Sequence, residues 1–267
     1  MFEFVRRTLK AEVELGGLGL HSGAPVVVKI KPGDQGIRFS RGGEVVNARP
    51  ENVVDTSRCT RLSNVSTIEH LMSAFCGSEI TDADVELDAA ELPGLDGSSV
   101  EYVKAFYQVG LEEIGKGATL ELFRRVFVKD GDVEISVGKG HGSWRFMFDT
   151  GDRWLGQQTF ETHDAIADYA FEIAPARTTA FIEEVEMARK MGLGLGLDET
   201  SVVVIGQDRY ETSARFQDEP ARHKLLDVMG DLYLSSVPAR SLSVVAERSG
   251  HRLNVKAAAM ILECLHR

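Results

Sequence analysis

In the stretch EEIGKGA, Glu112–Ala118, the apolar patterning of the chain lapses, and it resumes in TLELFRRVFVKD just downstream. A lapse between two patterned regions marks a domain boundary, which places one unit at residues 1–115 and a second at 116–267. Upstream, EFVRRTLKAEVEL, VVVKIK, GIRFSR and VVDTSRCTRL alternate as strands do, with the glycine-rich turn GGLGLHSG between the first two. In VSTIEHLMSAFCG, by contrast, Ile68, Leu71, Met72 and Phe75 fall at i, i+3, i+4 and i+7, the period of a helix. A strand in ADVELDA, a loop ELPGLDGSS and a second helix marked by Val100, Val103, Phe106 and Tyr107 complete this unit. Downstream of the boundary, TLELFRRVFVKD, VEISVG and SWRFMFD read as strands and DYAFEIAPARTTAF as a strand leading into a turn. IEEVEMARKMG is a short helix stopped by Gly192, SVVVIG a strand, and two helices close the chain, at Glu219–Leu234 and from about Val255 to Leu265. Each half is a run of strands followed by helices, an α+β pattern in two units. The two halves are not alike enough in sequence to be read as a repeat.

Bulk properties narrow the class. The 267 residues carry a formal net charge of −11, which argues against a protein held to nucleic acid by its overall field but leaves room for a local basic pocket. Three cysteines, Cys59, Cys76 and Cys264, are far apart and lack CxxC spacing, so neither a disulfide framework nor a cysteine zinc site is expected, and a reducing cytoplasm fits. Nowhere does an uncharged apolar run approach the roughly 18 residues of a transmembrane segment.

The chemistry-bearing residues begin in RHKLLDVMGDLYL, Arg222–Leu234. At about 100° per residue from His223, Asp227 lies at about 40° and Asp231 at about 80°, while Leu225, Leu226, Val228, Met229, Leu232 and Tyr233 span about 140° to 300°. Two readings of this polar row are open. A His/Asp pair at i, i+4 on a solvated face needs no metal; the same pair can ligate one zinc ion, because the two side chains stand one above the other. In STIEHL, Ser66 and Glu69 match a capping box, which needs no catalysis either. Beside Glu69 stands His70, where the positive helix end favours the neutral imidazole that a metal requires. Together, His70, His223 and Asp227 would form a two-histidine, one-carboxylate set with a fourth position open to water and Glu69 beside it as a base. In ERSGHRLN, His251 reads alone as a solvated loop residue; next to Asp231 it would be held as imidazolium, able to donate a proton.

With these residues in place the chain resembles, over almost its full length, the UDP-3-O-acyl-N-acetylglucosamine deacetylases, zinc amidases of lipid A biosynthesis of the LpxC type. RRTLKAEVELGGLGLHSG, STIEHLMSAFCG, ELPGLDGSS, LGQQTFE, APART, RHKLLDVMGDLYL and SGHRLN look like the family's motifs in the same order. The resemblance implies zinc on His70, His223 and Asp227, Glu69 as the catalytic glutamate, His251 as the catalytic histidine with Asp231 as its partner, and Thr178 as the hydroxyl that holds the oxyanion. It implies that Lys224 stands beside the site and that Arg248 meets the phosphates of UDP. It also implies two similar α+β domains, each a β-sheet packed with two α-helices, with the helices sandwiched between the sheets. The implied reaction is water attack on the N-acetyl group of a UDP-3-O-acyl amino sugar, releasing acetate, by a monomer in the cytoplasm.

Two departures bear on the substrate. The family has phenylalanine in ARTFGF where ARTTAF has Thr179, and GLALGGS, which lines the acyl passage, reads GLGLGLD here, with Leu197 and Asp198 in place of glycine and serine. A leucine there occupies space for acyl methylenes, each contributing about 0.8 kcal/mol when buried; compensation by the nearby Gly194 is the other reading. A deacetylase of a short-chain or unacylated amino sugar, and a metal-holding binding protein without turnover, stand as alternatives. The intact set Glu69, Thr178, Asp231 and His251 argues against the second. Cys59 and His21 read as structural.

Overall fold

A computed structural model describes residues 4–117, 121–122 and 124–266. Two five-stranded sheets share one topology. The first has the spatial order Val13–Leu18, Pro25–Pro32, Ala83–Leu87, Ile37–Arg41, Glu44–Asn47, and the second Val126–Asp130, Val133–Lys139, Leu242–Glu247, Trp144–Asp149, Gln157–Thr162. In both, the strand that is last in the chain is inserted in the middle, and its contact with the third strand of the chain is the sheet's one parallel pairing. The helices are α1 (Glu69–Gly77), α2 (Val100–Val109), α3 (Ala165–Asp168), α4 (Ile182–Lys190), α5 (Glu219–Tyr233) and α6 (His251–Glu263). Setting aside the connecting segments, each half therefore runs four strands, a helix, a fifth strand and a second helix, the pair of similar α+β domains that the resemblance implied.

Strand alternation supplies the inner faces: Val26, Val28 and Ile30 in one sheet, Trp144, Phe146, Leu242, Val244 and Ala246 in the other, are all buried. Helix α5 packs on α1 on one side and on the strands Trp144–Asp149 and Gln157–Thr162 on the other; α6 lies on Val126–Asp130 and Val133–Lys139. The helices thus form the layer between the sheets. Every residue of α1 is buried, and α5 buries its polar row as well as its leucines, since His223, Asp227 and Asp231 are at most 3% exposed. The solvated-face reading of that row is excluded.

The α1–α5 contact is close because Gly230 has no side chain. A β-carbon there would stand 2.1 Å from the Glu69 carbonyl oxygen and 3.1 Å from the Ser73 nitrogen, both backbone atoms of α1.

Several elements differ from their sequence reading. EEIGKGA falls largely within a strand, Leu111–Lys116, which pairs antiparallel with Val5–Leu9, while Ala118, Thr119, Leu120 and Phe123 lie outside the described residues. EFVRRTLKAEVEL splits into Val5–Leu9 and Val13–Leu18, which belong to different sheets. VVDTSRCTRL splits too, into Val53–Asp55 and Arg61–Leu62 around a bend. DYAFEIAPARTTAF opens in helical turns: α3, capped by Asp164 accepting from the Ile166 and Ala167 amides, ends at its first residue, a wide turn runs Tyr169–Ile173, and only Thr179–Phe181 is strand. Its aromatic alternation misled because Tyr169 and Ile173, one turn apart, point inward while Phe171 is exposed. The capping box does not form; Ser66 Oγ donates to the Ala90 carbonyl, and no side chain caps α1. Helix α6 begins at His251, four residues earlier than its apolar pattern suggested.

A Gly230→Ala substitution forces the central helices apart. We expect it to destabilise the fold by at least about 1–3 kcal/mol, the usual cost of overpacking, measured by denaturant unfolding against the parent chain.

Candidate metal centre

Glu69 and His70 stand side by side in the first turn of α1, which the chain enters through Thr67 in the left-handed region at φ 61°. Against this turn α5 presents His223 and Asp227. The Asp227 Oδ1 atom lies 3.6 Å from His223 Nε2 and 3.8 Å from His70 Nε2, and one ligand atom from each residue falls within 4.8 Å of the others. These three form a group that can hold a metal ion. Asp227 Oδ1 is buried without a hydrogen-bond partner among the described residues, a costly state for a carboxylate oxygen unless a cation completes it. The donor chemistry, two imidazoles and one carboxylate, suits a transition metal.

The remaining atoms of the three residues are fixed by neighbours. His223 Nδ1 lies 3.0 Å from the Ala176 carbonyl, which orients the ring with Nε2 toward the centre. Lys224 Nζ donates to Asp227 Oδ2 at 2.9 Å, leaving Oδ1 for the centre. Burial, then the adjoining His223, drives His70 down to about 3, so the imidazole is neutral. His223 is lowered as well, chiefly by burial. Asp227 is held below the ordinary carboxylate range: burial opposes ionisation, but Lys224 and the surrounding histidines outweigh it.

Asp231, one turn further along α5, serves the neighbouring histidine. Its Oδ2 meets His251 Nδ1 at 2.9 Å and accepts from Asn254 Nδ2 at 2.9 Å, and its Oδ1 accepts from Thr60 Oγ1 at 2.5 Å. His251 is therefore a half-buried residue in the first turn of α6, at the cavity lining, not a solvated loop histidine. Burial works against its charged form, but the Asp231 carboxylate and hydrogen bond raise it to about 9. Its Nε2 points to Glu69 Oε1, 4.0 Å away, while Glu69 Oε2 accepts from the Thr60 amide at 2.9 Å. Burial, together with the charges of Asp227 and Asp231, lifts Glu69 to about 7 against the opposing pull of His251. A carboxyl poised near neutrality next to an imidazolium can exchange protons with a bound group.

A cavity of about 720 Å³ opens here, lined by Thr178, Thr179, Leu197, Lys224 and His251 among others. Thr178 is held in place by its backbone, which donates to the Gly97 carbonyl and accepts from the Val203 amide. Next to it, Arg177 and Glu219 form a buried ion pair at 2.9 Å, with further bonds from Arg177 to the Thr200 and Ser213 carbonyls. This pair ties the segment carrying Ala176 and Thr178 to the start of α5. Asp198 turns away into its own loop, accepting from Thr200 and Ser201. Arg248 is not brought to the cavity; its guanidinium donates to the Asp132 carbonyl and lies 3.9 Å from Asp149. Cys59 is buried, its thiol pushed up to about 12 by burial and then by Glu69, consistent with a packing role. His21, whose backbone amide donates to Glu91, lines the cavity.

Sequence reasoning missed Thr60, Asn254, Ala176 and the Arg177–Glu219 pair. Asn254 stands three residues after His251, a helical spacing that an earlier start for α6 would have exposed. Thr60 carried no such signal, because the carboxylate it binds lies 171 residues away.

Comparisons with known proteins identify the family. Residues 6–263 match the family described as LpxC: UDP-3-O-acyl N-acetylglycosamine deacetylase. The chain is similar to proteins named UDP-3-O-acyl-N-acetylglucosamine deacetylase from Nautilia profundicola, at 35% identity covering 93% of this chain and 89% of that protein, and from Acidithiobacillus ferrooxidans, at 36% covering 92% and 85%. The corresponding protein of Cellvibrio japonicus is 34% identical, covering 97% and 90%. With two matching α+β domains, a buried His/His/Asp group at their junction and a family match across nearly all of its length, the chain belongs to the LpxC family of UDP-3-O-acyl N-acetylglycosamine deacetylases.

Proposed function

We propose that this chain removes the N-acetyl group of UDP-3-O-(3-hydroxyacyl)-N-acetylglucosamine, releasing acetate in an early step of lipid A biosynthesis, with zinc on His70, His223 and Asp227. The observation that carries the reading is the placement of Glu69 beside that buried group, within 4.0 Å of His251. The names of the relatives support the acylated UDP sugar as substrate.

Zinc, when bound, supplies a Lewis acid that makes water more acidic and polarises the amide carbonyl. The chain's own groups do the rest. Glu69, near neutrality in its pKa, takes the proton of the attacking water. Thr178, at the cavity wall, donates to the oxyanion that develops on the carbonyl oxygen. His251, kept charged by Asp231, stabilises that developing charge, and the Glu69–His251 pair returns a proton to the departing amine. Lys224 fixes Asp227 and adds positive charge to the cavity lining. The cytoplasm, where nucleotide sugars are made, suits the reaction, and no described helix is long and apolar enough to cross a membrane.

A specific observation favours a narrower acyl preference within the same chemistry. Leu197 lines both the catalytic cavity and a mainly apolar cavity of about 190 Å³ next to it, so its side chain takes up volume at their common wall. Thr179 offers no aromatic face at the same wall.

Metal analysis and acetate release test the centre together. Purified protein is expected to hold about one zinc per chain, lost in His223→Ala, whereas Glu69→Ala keeps its metal and loses about 10²–10⁴-fold in turnover. In Asp231→Asn the charge that raises His251 is gone, so the alkaline limb of kcat/KM, set near pH 9 by His251, moves to lower pH. The substrate is tested by mass spectrometry of products from UDP-N-acetylglucosamine bearing 3-O-acyl chains of several lengths and from the unacylated sugar. Acylated sugars should react, and Leu197→Gly should shift preference toward longer chains; reaction of the unacylated sugar alone would remove the lipid A assignment.

A further inference from the structure

Four side chains that carry or can carry positive charge line the catalytic cavity: His21, Arg58, Lys224 and His251. Two are paired within the chain and a third is not held as a cation. Lys224 is paired with Asp227, His251 with Asp231, and His21 is pushed toward its neutral form, mainly by burial. Arg58 is different. Among the described residues its guanidinium has no hydrogen bond or ion pair, and its side chain is exposed to the cavity.

The backbone that carries Arg58 is pinned on both sides. Upstream, Asp55 accepts from the Ser57 amide at 3.0 Å and from the Ser57 hydroxyl at 3.1 Å. Downstream, the Thr60 amide and hydroxyl are bound to Glu69 and Asp231, the Thr60 carbonyl accepts from the Ile68 amide at 3.2 Å, and Cys59 is buried between. A guanidinium on a fixed turn loses little freedom in meeting an anion, and its planar fork matches two phosphate oxygens at once. Glu183 and Glu184 of α4 also line this cavity and repel a diphosphate, which leaves Arg58 as the lining cation without a protein partner to offset that charge. Arg248, which the family resemblance nominated for the phosphates, is occupied by Asp132 and sits close to Asp149, and it does not line the cavity.

We propose that Arg58 is a substrate-binding residue that holds the diphosphate of the nucleotide sugar, setting affinity for the nucleotide part without taking part in bond cleavage. The assignment rests on the UDP-sugar reading above. Its signature is a split between KM and kcat, since Arg58 is engaged equally with the bound substrate and with the transition state.

The test compares zinc-loaded wild type, Arg58→Ala, Arg58→Lys and Arg248→Ala for kcat and KM with the acylated UDP sugar and, by calorimetry, for UDP affinity. Arg58→Ala should raise KM and the Kd for UDP by about 10- to 100-fold, the size of one lost charge-assisted contact, with kcat, metal content and melting temperature close to wild type. Arg58→Lys should recover part of the loss. Equal KM and UDP affinity in wild type and Arg58→Ala would overturn the assignment, as would a loss confined to Arg248→Ala or a fall in kcat without a change in KM. Wild type that neither binds UDP nor releases acetate from the UDP sugar would instead bring down the substrate reading, and this assignment with it.

Discussion

The approach of α5 to α1 at Gly230 is the contact on which the rest of the molecule depends. At most helix crossings the side chains set the separation, but here backbone meets backbone, with the Glu69 carbonyl in the space a β-carbon would fill. That proximity sets the distance from His70 on one helix to His223 and Asp227 on the other. It also puts Glu69 within reach of both Thr60 and His251. The two domains are held as one body by the contact that brings their reactive residues together, so packing and chemistry share a single determinant.

Charge in this interior is organised by division of labour along α5. Asp227 keeps one oxygen without a protein partner and gives the other to Lys224, while Asp231, a turn away, spends both oxygens on protein donors and on His251. Two carboxylates of the same type on the same helix therefore differ in function through their partners alone. Burying so many ionisable groups is expensive, and outside the open Asp227 oxygen hydrogen bonds offset much of that cost: Thr60 and Asn254 serve Asp231, the Ala176 carbonyl serves His223, and four backbone and side-chain donors serve Glu219.

Much of this was legible in the sequence for identifiable reasons. The helices that carry the centre are strongly periodic, so the i, i+4 row of α5 and the Glu69–His70 pair could be read directly, and the α+β division followed from where patterning stopped and resumed. Short range pointed the wrong way in other places. Ser66 and Glu69 satisfy a capping box on paper, yet the carboxylate is drawn to Thr60 and His251 by the fold. The alternation of Tyr169, Phe171 and Ile173 suggested a strand, but Tyr169 reaches Ser73 of α1 from a helical turn. The burial of the polar row, the part played by Thr60 and the displacement of Arg248 from the cavity depend on contacts more than a hundred residues apart in sequence, which no local pattern encodes.

The common strand order of the two sheets gives the centre a near-symmetric framework. Helices α1 and α5 occupy the same place in their domains, each following the fourth strand of its sheet. The connection between fourth strand and helix is also the same link in both, and it is from these two links that the non-helical parts of the site come: residues 48–68 supply Arg58 and Thr60, residues 163–218 supply Ala176, Thr178 and Leu197. The paired helices are the shared frame, and the lopsidedness of the centre comes from two topologically equivalent connections of different length. The lining contributed by those loops can change while the helix pair, closed at Gly230, continues to hold His70, His223 and Asp227 at fixed spacing.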